Sequence, residues 1–111
     1  MEKAWKEERE APVFEPGDVI RHFKRDIESN EGTHYLYEYV GVAVQTETGE
    51  EFAVYRALYG AKHLYIRPAD MFFSRVNSYK YPDAPQRFRF EHAHPEDLEA
   101  VAAALAAEGQ C

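Results

Sequence analysis

Three arginines, Arg56, Arg67 and Arg87, fall at the middle, end and start of three segments with strand character. Arginine offers a planar fork of donors that matches a carboxylate or phosphate, and paired strands lie only about 5 Å apart. Two such guanidiniums on neighbouring strands can converge on one anion. The competing reading is structural: each arginine pairs with a nearby carboxylate such as Glu47 or Asp70, because a buried charge needs a partner. Glu47 precedes a turn and, in a hairpin, is expected to face Arg56. A carboxylate held by arginine has a lowered pKa and makes a poor general base. Its fitting roles are to orient Arg56 or to accept from a ligand's donor groups.

Tyrosines surround these charges. Tyr35, Tyr37, Tyr39, Tyr55, Tyr59 and Tyr65 offer ring faces that could stack a base or hold a cationic group. Tyrosine is equally a good half-buried strand residue, so single positions carry little weight. Tyr55 and Tyr59 bracket Arg56 in "VYRALYG", and His22 lies in "RHFK". The ligand-binding candidates are therefore Arg56, Arg67, Arg87, Glu47, Tyr55, Tyr59 and His22. No catalytic residue is assigned, no cofactor is expected, and the reading leans away from an enzyme. His92 and His94 would share one strand face, but His94 also precedes Pro95, a natural helix entry, and no HExxH or CxxC accompanies them. No phosphate loop, dinucleotide fingerprint or nucleophile elbow occurs.

The elements that must position these residues follow from periodicity. "DVIRHF" reads as a first strand and "ESNEG" as turn chemistry. "HYLYEYVGVAVQTE" alternates Tyr35, Tyr37, Tyr39 and Ala43 against Leu36, Val40, Val42 and Val44, with Gly41 marking a bend or bulge. "TGE" turns the chain into "EFAVYRALY", and "GAK" turns it again into "HLYIR". In "EFAVYRALY" Val54, Arg56 and Leu58 share the face expected to be buried. Pro68 opens a short helical turn that points Met71 and Phe72 into the core. "RFRFEH" is a last strand with Phe88 and Phe90 on one side. Pro95 then starts a helix whose stripe is Leu98, Val101, Ala102 and Leu105. The expected fold is mostly β: a small SH3-like antiparallel barrel or curled sheet, with a short N-terminal helix and a C-terminal helix. Within one domain of 111 residues, 1–18 is a helical arm, 19–92 the β core and 94–109 the last helix.

At this point the residues resemble domain-of-unknown-function family 1653, a small bacterial domain. The matching stretches are "IRHFK", "YEYVGVAVQTETGEEFAVYRALYG", "LYIRPADMF" and "QRF", over about residues 19–90. The resemblance implies a compact β-rich domain and no established activity. Gln45 stands where the family usually has histidine, and Tyr65 where it usually has tryptophan. Residues 25–34 look like an insertion.

The net charge of −7 sits in the flanks. Residues 1–19 carry 3 Lys/Arg against 6 Asp/Glu, and residues 91–111 carry no Lys/Arg against 5 Asp/Glu. Acidic flanks repel a phosphate backbone, so generic nucleic-acid coating is disfavoured, while the near-neutral centre is open to one small anion. The lone Cys111 suits a reducing compartment. No run of residues is apolar enough to span a membrane, and a cytoplasmic location is expected. The leading expectation is a small binding module for an anionic or aromatic, nucleotide-like ligand. The alternative is a protein-interaction or homodimerising domain, and the third reading is an enzyme using Glu47, His22 or Tyr55.

Overall fold

A computed structural model describes residues 10–108. The helix expected around Trp5 lies outside the described residues. Five strands form one antiparallel sheet in the order β4-β3-β2-β1-β5. They are β1 (Val19–His22), β2 (Leu36–Val44), β3 (Glu51–Ala57), β4 (Leu64–Pro68) and β5 (Phe90–His92). The helices are α1 (Lys24–Ile27), α2 (Ala69–Phe72) and α3 (Pro95–Glu108).

The sheet stays open, and the expected barrel does not close. Closure would require β4 to pair with β5. Instead the chain between them folds back over the sheet, and the Phe72 ring of α2 stacks on Phe90 with centroids 4.2 Å apart and planes 13° apart. That connection fills the space a barrel interior would occupy. The last strand is also shorter than "RFRFEH" suggested, because Phe88 makes only an isolated bridge to Arg75.

Aromatic rings build the core on this covered face. Phe14, Ile20, Tyr37, Tyr39, Ala53, Tyr55, Ala57, Phe72 and Phe90 form one buried cluster. The two turns of the meander follow the sequence: Gly49 and Gly60 both adopt positive φ, which costs glycine little. Met71, expected inside with Phe72, is instead exposed. In a single helical turn only one of the two neighbours can face the sheet.

Register overturns the expected buried face of β3. Tyr39 pairs with Tyr55, Tyr37 with Ala57, and Arg56 with Glu38. The covered side therefore carries Ala53, Tyr55 and Ala57, and Arg56 lies on the other side. A bulge between Tyr39 and Gly41 inserts Val40. Beyond it the alternation inverts, so Val42 pairs with Ala53 on the tyrosine side while Ala43 pairs with Phe52 on the opposite side.

Helix α3 is held differently from its sequence pattern. Leu98 and Leu105 remain exposed, and the side chain it buries is Asp97. Asp97 Oδ2 accepts from the backbone N–H of His94, closing a capping-box arrangement at the helix start. Its two oxygens also meet Arg25 Nε at 2.7 Å and Arg21 Nε at 2.8 Å. Arg25 in turn donates to the carbonyls of His34 and Gly32. Burial alone would raise the Asp97 pKa, but the His94 N–H and the two arginines outweigh it and hold the carboxyl below its ordinary value. The stretch that looked like an insertion is thus the anchor of the C-terminal helix.

Candidate functional site

Two arginines border the α2 segment that covers the aromatic face of the sheet. Arg67, on edge strand β4, pairs in register with Ala53 and so shares the side that carries Tyr55. Its Nε donates to the Tyr55 hydroxyl at 3.3 Å, and its guanidinium carbon lies 5.9 Å from the Phe90 ring centroid. Arg89 arrives from the segment before β5. Its Nε donates to the Met71 carbonyl at 3.2 Å and to Ser74 Oγ at 3.4 Å. Each guanidinium is therefore anchored through Nε, which leaves its two terminal NH₂ groups without a hydrogen bond to the described residues. Neither arginine forms an ion pair with a carboxylate among the described residues.

His22, at the end of β1, completes the cluster. Its ring stacks on Phe23 at 4.6 Å and meets Phe90 edge-on at 4.9 Å. Burial first, then the charges of Arg67, Arg89 and Lys24, push its pKa down to about 3. The imidazole is neutral at physiological pH. The Lys24 backbone N–H donates to Nδ1 at 3.1 Å, so the neutral ring carries its proton on Nε2. That N–H makes no hydrogen bond within the described residues. Burial, and next the charge of Arg67, lowers the Arg89 pKa as well. Two like charges thus act on each other, and neither has a carboxylate ion pair among the described residues.

Tyrosines frame the site. Tyr55 and Tyr65 have ring centroids 5.9 Å apart, and Tyr65 is exposed. The hydroxyls of Tyr37 and Tyr59 lie 2.8 Å apart. Burial, then the Tyr59 hydrogen bond, raises the Tyr37 pKa far above its ordinary value. Tyr35 sits 5.9 Å from His22 with φ of 63°, a left-handed conformation that a side chain rarely adopts. Its hydroxyl donates to Glu28, which raises its pKa to about 12. Such strain persists only where the surroundings hold it, and here it adjoins the cationic cluster.

Of the residues singled out from sequence, Arg67, Tyr55 and His22 come together, with Tyr59 one tyrosine away. The other three go elsewhere. Arg56 is exposed on the opposite side of the sheet. Glu47 lies in the turn beyond the Val44–Glu51 pair, where its N–H binds the Gln45 side chain, so it does not face Arg56. Arg87 is exposed and pairs with Glu10. Arg89 was missed. Its signal was its place between Phe88 and Phe90, since two buried neighbours draw the residue between them into partial burial.

Residues 18–92 match the family described as "Protein of unknown function (DUF1653)". The chain belongs to that family. No curated protein and no solved structure matches it. Every residue of the Arg67–Arg89–His22 cluster falls within the DUF1653 region, whereas α3 and its Asp97 anchor lie beyond it. Among the described residues, no helix is long and apolar enough to cross a membrane.

Proposed function

We propose that this DUF1653 protein is a binding module for a small anionic ligand, held on the aromatic face by Arg67, Arg89 and the Nε2–H of neutral His22. One observation carries the reading. Two half-buried arginines, each fixed through Nε, aim unpaired donor forks from a face that holds no carboxylate partner for them among the described residues. A phosphate or carboxylate would relieve their repulsion and accept charge-assisted hydrogen bonds. The exposed Tyr65 ring beside Tyr55 gives an attached aromatic group a surface to stack on. His22 favours binding over proton transfer, because a base with a pKa of about 3 accepts protons poorly near neutrality. The lone cysteine suits a reducing compartment, and on that ground the module is placed in the cytoplasm.

Calorimetric titration with inorganic phosphate, citrate and a nucleoside monophosphate tests the reading. Saturable binding that weakens about ten- to a hundredfold in Arg67→Ala and in Arg89→Ala supports it. Equal heats in wild type and both folded variants would sink it.

A second reading rests on edge strand β4, whose Leu64 and Ile66 are exposed. An open edge can pair with the same edge of a second copy about a two-fold axis. Sedimentation that stays monomeric at high concentration, and is unchanged by Ile66→Lys, removes this reading.

A further inference from the structure

Edge strand β4 carries a row of functional side chains on the covered side of the sheet. Strand side chains alternate between faces, so residues two apart share one. Arg67 pairs with Ala53, and Tyr65 with Tyr55. Just before the strand, the Ala57 N–H donates to the His63 carbonyl at 3.0 Å, which extends the same register by one residue. His63, Tyr65 and Arg67 therefore stand on the side that carries Ala53, Tyr55 and Ala57. Two aromatic rings and one guanidinium follow one another along an edge that no further strand covers among the described residues.

Tyr55 joins the two ends of this row. Its hydroxyl accepts from Arg67 Nε at 3.3 Å, and its ring centroid lies 5.9 Å from that of Tyr65. The guanidinium and the Tyr65 ring are thus each one contact from the same side chain. Tyr55 is buried, whereas Tyr65 is 42% exposed and His63 is exposed as well. The His63 and Tyr65 centroids are 6.1 Å apart, with planes inclined at 60°. A flat ring lying on Tyr65 consequently meets His63 at an angle rather than as a second stacking surface. The His63 nitrogens make no hydrogen bond within the described residues, and either can donate or accept according to tautomer.

Building on the anion site proposed above, we infer that its ligand is a nucleoside monophosphate, with the phosphate on Arg67, the base stacked on Tyr65 and a polar atom of the base edge hydrogen-bonded to His63. Each side chain selects one part of the molecule. The guanidinium fork takes phosphate oxygens. The tyrosine ring accepts the face of a base. His63 separates a heteroaromatic base from a plain aryl group, which has no polar edge to offer. A single strand of nucleic acid presents the same chemistry, but the acidic flanks of this chain repel a run of phosphates, and one guanidinium on the row serves one phosphate. The free mononucleotide is the better match.

Calorimetric titrations of the full-length protein compare inorganic phosphate, ribose 5-phosphate, phenyl phosphate and adenosine monophosphate. Adenosine monophosphate should bind about tenfold more tightly than ribose 5-phosphate, the gain from one stacked base. Tyr65→Leu should abolish that gain and leave the affinity for inorganic phosphate unchanged, whereas Tyr65→Phe should keep it. His63→Ala should weaken the nucleotide by about fivefold and leave phenyl phosphate unchanged. Arg67→Ala should weaken all of them. Both ring positions are exposed, so thermal melts should find these variants as stable as wild type. Equal binding of adenosine monophosphate and ribose 5-phosphate, both lost in Arg67→Ala, overturns the nucleotide assignment and leaves the anion reading standing. Nucleotide binding indifferent to Tyr65→Leu overturns it as well, and so does a short oligoadenylate that binds about a hundredfold more tightly than the mononucleotide. No heat from any of these probes overturns it too, and the anion reading falls with it only if citrate is also silent.

Discussion

Arg67 Nε donates to the Tyr55 hydroxyl over 3.3 Å, tying an arginine of the edge strand to the middle of the aromatic face. The bond orients the guanidinium before any ligand arrives. Tyr55→Phe removes the hydroxyl and keeps the ring. Phosphate affinity should fall by about fivefold, matching one lost long hydrogen bond of ~1 kcal/mol, with the melting temperature nearly unchanged. Calorimetry and a thermal melt on the same variant check both halves.

Arg56→Ala, Glu47→Gln and Arg87→Ala should leave phosphate affinity within about twofold of wild type. All three side chains project away from the Arg67–Arg89 pair, and exposed charges contribute about 0–1 kcal/mol. A titration in which Arg56→Ala weakens binding as much as Arg67→Ala would place the anion on the wrong side of the sheet.

His22 makes stability depend on pH. Its pKa of about 3 in the folded protein lies below the ordinary value of 6.5, so between these limits the unfolded chain binds the extra proton. Stability should be insensitive to His22 above pH 6.5 and fall by about 1.4 kcal/mol per pH unit below it. The contribution is lost once pH drops through about 3. Denaturant titrations from pH 7 to 4 should show a shallower decline for His22→Gln than for wild type. Bound phosphate should raise the His22 pKa, visible as a shifted imidazole titration by NMR.

Asp97 joins α3 to Arg21 and Arg25, all three being buried. Asp97→Asn leaves two buried guanidiniums short of charge, a change that costs about 3–5 kcal/mol. Urea denaturation should report that loss, and hydrogen exchange should show α3 losing protection before the sheet does. The folded pKa of Asp97 is lowered, so its contribution is present above the ordinary carboxyl range and disappears as pH falls below it.

Phe72→Ala should cost about 3–5 kcal/mol, because Phe72 is fully buried and stacks on Phe90. Its effect on phosphate affinity tests how far the site depends on that stack, since Arg67 lies over the same Phe90 ring.

The meander of β2, β3 and β4 was legible in the sequence because strand alternation and turn glycines are local signals. Arg67, Tyr55 and His22 could be picked out, but their convergence could not. It depends on the order in which strands join and on the segment between β4 and β5 returning across the face, and both are long-range. Arg56 was misplaced by a one-residue question of side, since "VYRALYG" alternates equally well either way. Only its pairing with Glu38 and Leu64 decides it. The α3 stripe misled for a different reason. Its leucines imply burial by apolar contact, whereas the helix is fastened at its first turn by one carboxylate whose partners lie more than seventy positions upstream.

The bulge at Val40 makes β2 a strand read in two frames. Residues before it address the aromatic face with odd numbers, and residues after it address that face with even ones. Without the bulge, the same residues in unbroken alternation would send Val42 and Val44 to the far side, and their neighbours to the near side, without altering a single residue type. Length at that point is therefore information in its own right. Removing Val40 together with the bulge would leave Val42 opposite Ala53 and Val44 opposite Glu51.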